Sequence, residues 1–273
     1  MRSQASGLAG RVALPHIGAM QGKPPPTIFD PVRRAAAAAR AARWRKTAGE
    51  AGFLFDHMAE EAIERLDFMQ LAPRRSLVLG PLPPSLRDRL ERDGGQVDNP
   101  TDRDPEEPYP VPSGGDGYDL AMSLGAIDTA NDLPGALIHL HRALAPGGFA
   151  LAAMIGAPAL THLRRALLAA DGERPAARMH PLVDVHSAAQ LVQRVGWHSP
   201  VVDSHTLSVS YRSFDRLVTD LRLHGLTNVL ASRAPALTRA GRERARAAFL
   251  DQADGEGRVI EPFEIVMLGG WRR

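Results

Sequence analysis

Cysteine is absent from this chain of 273 residues, which excludes disulfide bonds, thiolate nucleophiles and metal sites with cysteine ligands. Lysine is almost absent too, because 31 of the 33 basic residues are arginine and only Lys23 and Lys46 are lysine. The 31 acidic residues nearly balance the basic ones, so the charge does not indicate binding to nucleic acid. An arginine-rich, alanine-rich composition is typical of a GC-rich genome.

Long apolar runs are missing as well. The longest, from Phe149 to Leu160, is shorter than the roughly eighteen residues of a membrane helix and is interrupted by Gly156 and Pro158. We therefore expect no membrane span. Residues 1–27 have no acid and carry three consecutive prolines, a composition typical of a disordered tail without a secretory signal. We expect a cytoplasmic protein of bacterial type; an organellar transit peptide, and hence a mitochondrial protein, is the alternative.

Residues 28–72 predict a helical segment with two helices. Asp30 and Pro31 are suited to opening the first, which runs from Arg33 to Lys46 and carries basic residues without an acid. In the second, Phe55, Ala59, Ala62, Leu66 and Met69 recur at helical spacing, with acids on the other side. We expect this acidic helix to pack on the main domain and the basic helix to pair with it. A nucleic-acid role for the basic helix is the alternative.

From residue 73 onward, strand and helix patterns alternate, which indicates a mainly parallel sheet. The clearest passage is a helix opened by Asn131 or Asp132 with Pro134 in its first turn, ended by Pro146-Gly147-Gly148 and followed by a strand buried on both faces. The predicted strands are residues 76–80, 96–98, 118–124, 149–154, 200–211 and 263–271, and the remaining predicted helices are 85–90, 186–195, 213–224 and 238–252. Residues 99–117, dense in proline and glycine, predict an irregular loop.

A family resemblance rests on the order of several motifs. The passage from Tyr118-Asp119-Leu120 to Arg142-Ala143-Leu144-Ala145-Pro146-Gly147-Gly148 resembles class I S-adenosylmethionine-dependent methyltransferases. It is similar in particular to the malonyl-carrier-protein methyltransferases of biotin synthesis and to the methyltransferase-like assembly factors of respiratory complex I. Further stretches favour the assembly factors, among them Ile28-Phe29-Asp30, Met179-His180-Pro181 and the terminal Gly270-Trp271.

The resemblance implies an α/β, Rossmann-like class I methyltransferase fold. Its sheet would be mainly parallel and doubly wound with an antiparallel last strand, and it would occupy residues 73–273 with a C-terminal helical insertion at about 212–258. The N-terminal helices of residues 28–72 would precede it.

The resemblance also implies a site for S-adenosylmethionine at the carboxyl ends of the strands, where doubly wound sheets bind their ligands. Asp98 lies 18 residues after Gly80, near the roughly twenty expected for an acid that binds the ribose; an ordinary surface loop aspartate is the alternative. The cofactor residues that this matching predicts are Gly80, Asp98, Ser123, Leu124 and Gly125.

The sequence gives weaker signals for catalytic and metal-binding residues than for cofactor-binding ones. His180 falls in a region that lies over the active-site mouth of the related methyltransferases, so we consider it as a general base or substrate contact, with an ordinary loop histidine as the alternative. His139 and His141 are two positions apart on a predicted helix and point to different sides, so they predict no metal site.

The cofactor loop departs from the family pattern. Where relatives have Leu-Asp-Leu-Gly-x-Gly-x-Gly, this chain has Leu77-Val78-Leu79-Gly80-Pro81-Leu82-Pro83-Pro84. Proline removes backbone donors and fixes φ, and the leucine side chain obstructs close approach to the backbone. The span from Asp98 to Tyr118 is about half as long as in the family, where the same span holds a helix and a third strand. The resemblance therefore implies that part of the wall beside the adenine of the cofactor is missing. The assembly factors tend to have His-Trp where this chain has Asp128-Thr129.

Two functional hypotheses of different class follow. The first is a methyltransferase that uses S-adenosylmethionine on an unidentified substrate. The second is a pseudo-methyltransferase, a binding or assembly factor that has lost the cofactor. An arginine hydroxylase is a third, without a recognisable iron-binding triad in the sequence. The expected partner is a protein, either a subunit of respiratory complex I or an acyl carrier protein, and not nucleic acid.

Overall fold

The computed structural model describes residues 27–48, 52–101, 103–109 and 117–273, so the predicted tail of residues 1–27 lies outside the described part except for Thr27. The strands are β1 (Arg75–Leu79), β2 (Gln96–Asp98), β3 (Tyr118–Leu124), β4 (Leu144–Ile155), β5 (His198–Tyr211) and β6 (Val259–Trp271). The helices are α1 (Pro31–Ala48), α2 (Phe53–Phe68), α3 (Pro84–Glu91), α4 (Leu133–Arg142), α5 (Thr161–Asp171), α6 (Val185–Arg194), α7 (Phe214–Leu223) and α8 (Arg239–Leu250). The described residues between β2 and β3 form neither helix nor strand, as the proline and glycine content predicts.

The described strands form one six-stranded sheet in the order β2-β1-β3-β4-β6-β5. Strands β1 to β4 pair in parallel, and β6 runs antiparallel to both of its neighbours. The carboxyl ends of β1, β2 and β3 therefore meet at one edge of the sheet, where a ligand of a doubly wound fold binds.

Helices cover both faces of this sheet. Alternate residues of β4 point to opposite sides, so Leu151 and Ala153 join one apolar core while Ala150 and Ala152 join the other. The first core is closed by α2, α3, α5, α7 and α8, and the second by α4 and α6. This arrangement confirms the predicted doubly wound α/β fold, including its antiparallel last strand.

Local signals account for several of the helix ends. Asp132 caps α4 by accepting a hydrogen bond from Gly135 N at 2.9 Å, and Ser213 and Thr238 cap α7 and α8 in the same way. Helix α5 has no such signal and was not predicted. Its first residue follows Leu160 in a left-handed conformation (φ 58°), and its free amides are bound instead by Glu261 of β6.

The two N-terminal helices differ in what holds them. Helix α2 packs its apolar face on the main domain, as predicted. The expected charge pairing between α1 and α2 stays a prediction; the contact seen between them is a cation–π contact, with the Arg45 guanidinium 5.1 Å from the centre of the Phe55 ring. Helix α1 packs against α7, and its Arg34 forms ion pairs with Asp104 and Glu106 of the loop before β3, at 2.5 and 2.7 Å. None of the described helices is both long enough and apolar enough to cross a membrane.

Candidate functional site

The residues predicted to bind the cofactor lie at one edge of the sheet. Gly80 follows β1, Asp98 ends β2, and Ser123, Leu124 and Gly125 end or follow β3. The register aligns Leu79 of β1 with Ser123 of β3, so the ends of these strands are level. The structure thus brings these residues to the edge that the fold requires, and their role in binding a ligand stays a prediction.

Gly80 permits a close approach, but the approaching group belongs to the chain itself. Its φ is +94°, and a Cβ added there would lie 2.2 Å from the carbonyl oxygen of Leu124 and 3.5 Å from Ala126 Cβ. The side chain of Asn99 ties the same turn down, because its Nδ2 donates to the carbonyl oxygens of Val78 and Gly80 at 2.7 and 3.0 Å. The end of the neighbouring strand therefore packs directly against Gly80.

The turn after Gly80 offers few donors to a ligand. Three of its four residues, Pro81, Pro83 and Pro84, have no backbone N–H. Leu82 packs its side chain against the apolar core, and Pro83 is buried. The turn is therefore a packed structural element with a single backbone donor, at Leu82.

Asp98 and Ser123 are suited to a ligand in different ways. Asp98 is exposed, and its Oδ2 accepts a hydrogen bond from the Tyr118 hydroxyl at 2.7 Å. Burial and then Asp98 raise the pKa of the Tyr118 phenol, so the phenol stays a donor. Ser123 is fully buried, and its hydroxyl has no hydrogen-bond partner within the described structure.

A cavity lies beyond the end of β4, and none of the five predicted cofactor residues lines it. Its volume is about 470 Å³, and we name it the Asp128 cavity. Asp128, from the segment after β3, and Ile155, the last residue of β4, contribute to its lining. Apolar side chains of α5 and α7 and residues of the two loops around Met179 and Thr227 form much of the rest: Leu163, Leu167, Phe214, Val218, Leu182 and Leu226.

The carboxyl group of Asp128 is enclosed although part of the residue is exposed. Its Oδ2 accepts a hydrogen bond from Ile155 N at 3.0 Å, and its Oδ1 is buried with no partner among the described residues. Burial raises the pKa of Asp128 to about 7, and the bond from Ile155 opposes this only in part. An unpaired carboxyl that titrates near neutrality is characteristic of functional sites. The substitution of Asp128-Thr129 for His-Trp was the sequence signal that marked this position.

Arginines surround the cavity, and they differ in whether they are paired. Arg178 binds Asp171 through two nitrogens, and Arg246 binds Asp215. Arg222 and Arg242 are exposed and form no ion pair with any described residue. The cavity therefore combines apolar walls, one enclosed acid and two free cations.

His180 also lines the cavity, but a hydrogen bond engages one of its nitrogens. Its Nε2 accepts from Val229 N at 3.0 Å, and its ring meets Phe29 edge to face at 5.3 Å. Burial, and next the charge of Arg33, lower the pKa of His180 to about 4, so the ring is neutral at neutral pH. With Nε2 as acceptor, Nδ1 carries the proton. This arrangement suits a donor to a ligand better than a base, and either role stays a prediction.

The N-terminal segment crosses this edge of the molecule, which the sequence did not indicate. Asn131 Oδ1 accepts from the amides of Ile28 and Phe29, both at 2.8 Å, and Phe29 pairs with Leu230 as an isolated β-bridge. Arg34 adds a hydrogen bond to the Thr129 carbonyl at 2.8 Å. These contacts hold residues 28–34 between the loop after β3 and the loop after α7.

The described residues that could together hold a metal ion are His57, Glu61 and His205, and none of them lines the Asp128 cavity. Two of the three are on α2 and the third is on β5. The sequence did not predict this group, although the spacing of four between His57 and Glu61 was a partial signal.

Comparison with known proteins gives a family match over most of the chain. A family model described as a methyltransferase domain matches residues 10–199. The rat (Rattus norvegicus) protein arginine-hydroxylase NDUFAF5, mitochondrial, is 27% identical over 225 residues, which cover 81% of this chain and 61% of that relative. The match to the Danio rerio protein of the same name covers only 50% of its length, so the chain spans between half and two thirds of these relatives.

Two further likenesses were found. A malonyl-[acyl-carrier protein] O-methyltransferase of Halorhodospira halophila is 28% identical over 246 residues, which cover 81% of this chain and 82% of that protein. Among solved structures, a SAM-dependent methyltransferase from Thermotoga maritima aligns with a TM-score of 0.42. The two sequences are 11% identical, and the alignment covers 88% of this chain and 99% of that one.

Proposed function

We propose, from the premise that this chain belongs to the methyltransferase domain family, that it is a binding protein that works without S-adenosylmethionine. The family membership makes it a methyltransferase-like protein whose substrate is unidentified. One observation carries the step beyond that statement. Gly80, at the turn where the fold places the methyl donor, packs against the Leu124 carbonyl group of the neighbouring strand, and we infer that this leaves the donor too little room.

The rest of the donor site supports the same conclusion. The proline-rich turn has lost most of its backbone donors, and the Asp128 cavity lies elsewhere, with none of the predicted cofactor residues in its lining. The residues present therefore fit S-adenosylmethionine poorly. A scaffold can lose its cofactor and keep a binding function, because fold alone does not establish activity.

A methyltransferase that uses S-adenosylmethionine is the second candidate, and a specific observation favours it. Asp98 lies exposed at the end of β2, where an acid would bind the ribose, and Ser123 at the end of β3 has a buried hydroxyl without a described partner. In this case the cofactor would supply an activated methyl group, and the Asp128 cavity would hold the acceptor.

Titration with S-adenosylmethionine, by calorimetry and by thermal shift, separates the two candidates. We expect no binding heat and no rise in Tm at millimolar ligand for the wild-type chain. Saturable binding in the micromolar range that Asp98→Ala abolishes would overturn the proposal. S-adenosylhomocysteine serves as the product control, and the Asp88→Asn variant, changed at an exposed position on α3, controls for the loss of a charge.

We also propose how the chain is organised around this function. A methyltransferase-like domain occupies residues 73–273, the helical segment of residues 28–72 precedes it, and the insertion at about 212–258 supplies α7 and α8 to the cavity wall. The bacterial relative supports a cytoplasmic protein of bacterial type, and the mitochondrial relatives support the alternative.

The ligand of the cavity is proposed to be an acyl group on an acidic carrier protein. Apolar walls suit the acyl chain, the protonated Asp128 carboxyl can donate to a carbonyl group, and Arg222 and Arg242 can attract the acidic carrier. The malonyl-[acyl-carrier protein] relative supports this class. A subunit of respiratory complex I is the alternative partner that the sequence resemblance implies.

Binding of purified acyl carrier protein, with and without its acyl group, tests the proposed ligand. Affinity should rise with the acyl group and fall on substitution of Arg222 and Arg242 by alanine, with Arg233→Ala as a matched exposed control. Equal affinity for the acylated and the free carrier would refute it.

A further inference from the structure

A second cluster of chemically active side chains lies between α2 and β5. His57 and Glu61 are four positions apart on α2 and so share one face of the helix, and His205 comes from β5, 148 residues later than His57. The Nε2 atoms of the two histidines lie 2.9 Å apart. Glu61 Oε2 lies 4.0 Å from His205 Nδ1. All three side chains are half-buried, so they are held in place and remain open to solvent.

The donor atoms have the spacing of a metal site. One ligand atom from each residue can be chosen so that all lie within 4.8 Å of one another. A tetrahedral ion with bonds of about 2.0–2.1 Å separates its ligand atoms by roughly 3.3 Å. The two imidazoles would therefore move apart by only a few tenths of an ångström. Two histidines and one carboxylate leave open coordination positions, and this ligand set suits zinc, ferrous and related ions rather than magnesium or calcium.

Neighbouring charges favour a cation and orient the ligands. Arg65 donates to Glu61 Oε2 at 2.8 Å and also binds Asp203 at 2.5 Å, so the Glu61 carboxylate is held on one side. Glu60 Oε2 lies 3.8 Å from His57 Nδ1, the nitrogen on the far side of a ligating Nε2. When both imidazoles are neutral, the carboxylates of Glu60, Glu61 and Asp203 and the guanidinium of Arg65 give the cluster a net charge of −2. Outer carboxylates on ligating histidines are a common feature of metal sites.

We propose that His57, Glu61 and His205 bind one divalent transition-metal ion. The ion fastens the N-terminal helix α2 to the edge strand β5, and its open positions face solvent. This site is independent of whether S-adenosylmethionine binds, because it shares no residue with the predicted cofactor site or with the Asp128 cavity.

Zinc and cobalt titrations of the untagged 273-residue chain test the proposal. Zn²⁺ affinity is measured by competition with a chromophoric chelator, and Co²⁺ reports the coordination geometry through its visible absorption. The variants are His57→Gln, Glu61→Gln and His205→Gln. Matched controls are Glu64→Gln, an exposed acid on the same helix, and His198→Gln, a half-buried histidine on the same strand. Circular dichroism verifies that every variant is folded.

The expected result is one Zn²⁺ bound by the wild-type chain and by both controls, and affinity lower by roughly tenfold or more in each of the three variants. Because the ion binds only the folded chain, Zn²⁺ should also raise the Tm of the wild type and not that of the variants. Absence of binding at micromolar Zn²⁺ would overturn the proposal. So would unchanged affinity in any one of the three variants, since each residue is assigned a bond to the ion.

Discussion

Replacing Asp128 by asparagine isolates the enclosed carboxyl group at the end of the sheet. The ordinary pKa of this group is 3.8, and burial raises it to about 7 in the folded chain. At about 1.36 kcal/mol per pKa unit, this difference corresponds to about 4 kcal/mol against the ionised form. The variant has an amide of the same shape that never ionises and can still accept the hydrogen bond from Ile155.

The sign of the pH dependence follows from proton linkage. An acid whose pKa is higher in the folded than in the unfolded state binds more protons in the folded state between the two values. The stabilisation due to protonated Asp128 is therefore complete below about pH 4 and is lost as the pH rises through 7. The free energy of unfolding of Asp128→Asn, minus that of the wild type, should rise by about 3 kcal/mol between pH 5 and pH 8.

Urea unfolding at pH 5, 6, 7 and 8 measures this difference. Asp88→Asn, at an exposed position on α3, is the control, and its difference from the wild type should vary by less than about 0.5 kcal/mol over the same range. If the curves of the wild type and Asp128→Asn stay parallel from pH 5 to pH 8, the carboxyl is not enclosed as described. Asp128 would then be no candidate for an active acid in the cavity.

The other predictions concern the turn at Gly80 and the contacts that frame the cavity, and urea unfolding at pH 7 measures each of them. Gly80→Ala should lower the free energy of unfolding by about 3 kcal/mol or more, because the new Cβ meets a carbonyl group, whereas Gly94→Ala, also at positive φ but in open space, should lower it by about 1 kcal/mol. Equal losses of stability would contradict the close approach at Gly80. Arg34→Ala should cost about 2 kcal/mol by freeing two acids of the loop before β3, and full rescue by Arg34→Lys would argue against the forked geometry. Glu261→Ala should cost about 3 kcal/mol because it leaves two amides of α5 unpaired, and a cost below about 0.5 kcal/mol would remove this account of how α5 begins.

Much of the fold was predictable because its signals are local. The cap at Asp132, the proline in the first turn of α4 and the apolar run that follows lie within one short passage, and the structure has the predicted elements there. The order of strands and helices along the chain then permits few sheets, since parallel strands need crossover helices. Helix α5 escaped prediction because its N-terminal amides are capped by Glu261, about a hundred residues later in the chain.

The features of the candidate site likewise separate into those set by local sequence and those set by tertiary packing. The sequence alone determined the doubly wound α/β fold, the family resemblance, the edge at which Gly80 and Asp98 meet, and the loss of donors from the proline-rich turn. Only the tertiary structure decided that a strand end packs directly against Gly80, that Asp128 is enclosed without a second partner among the described residues, and that His57 and His205 meet. The physical reason is distance along the chain. Caps, turns and periodicity act between neighbouring residues, whereas enclosure and the meeting of ligands depend on packing between segments far apart in sequence.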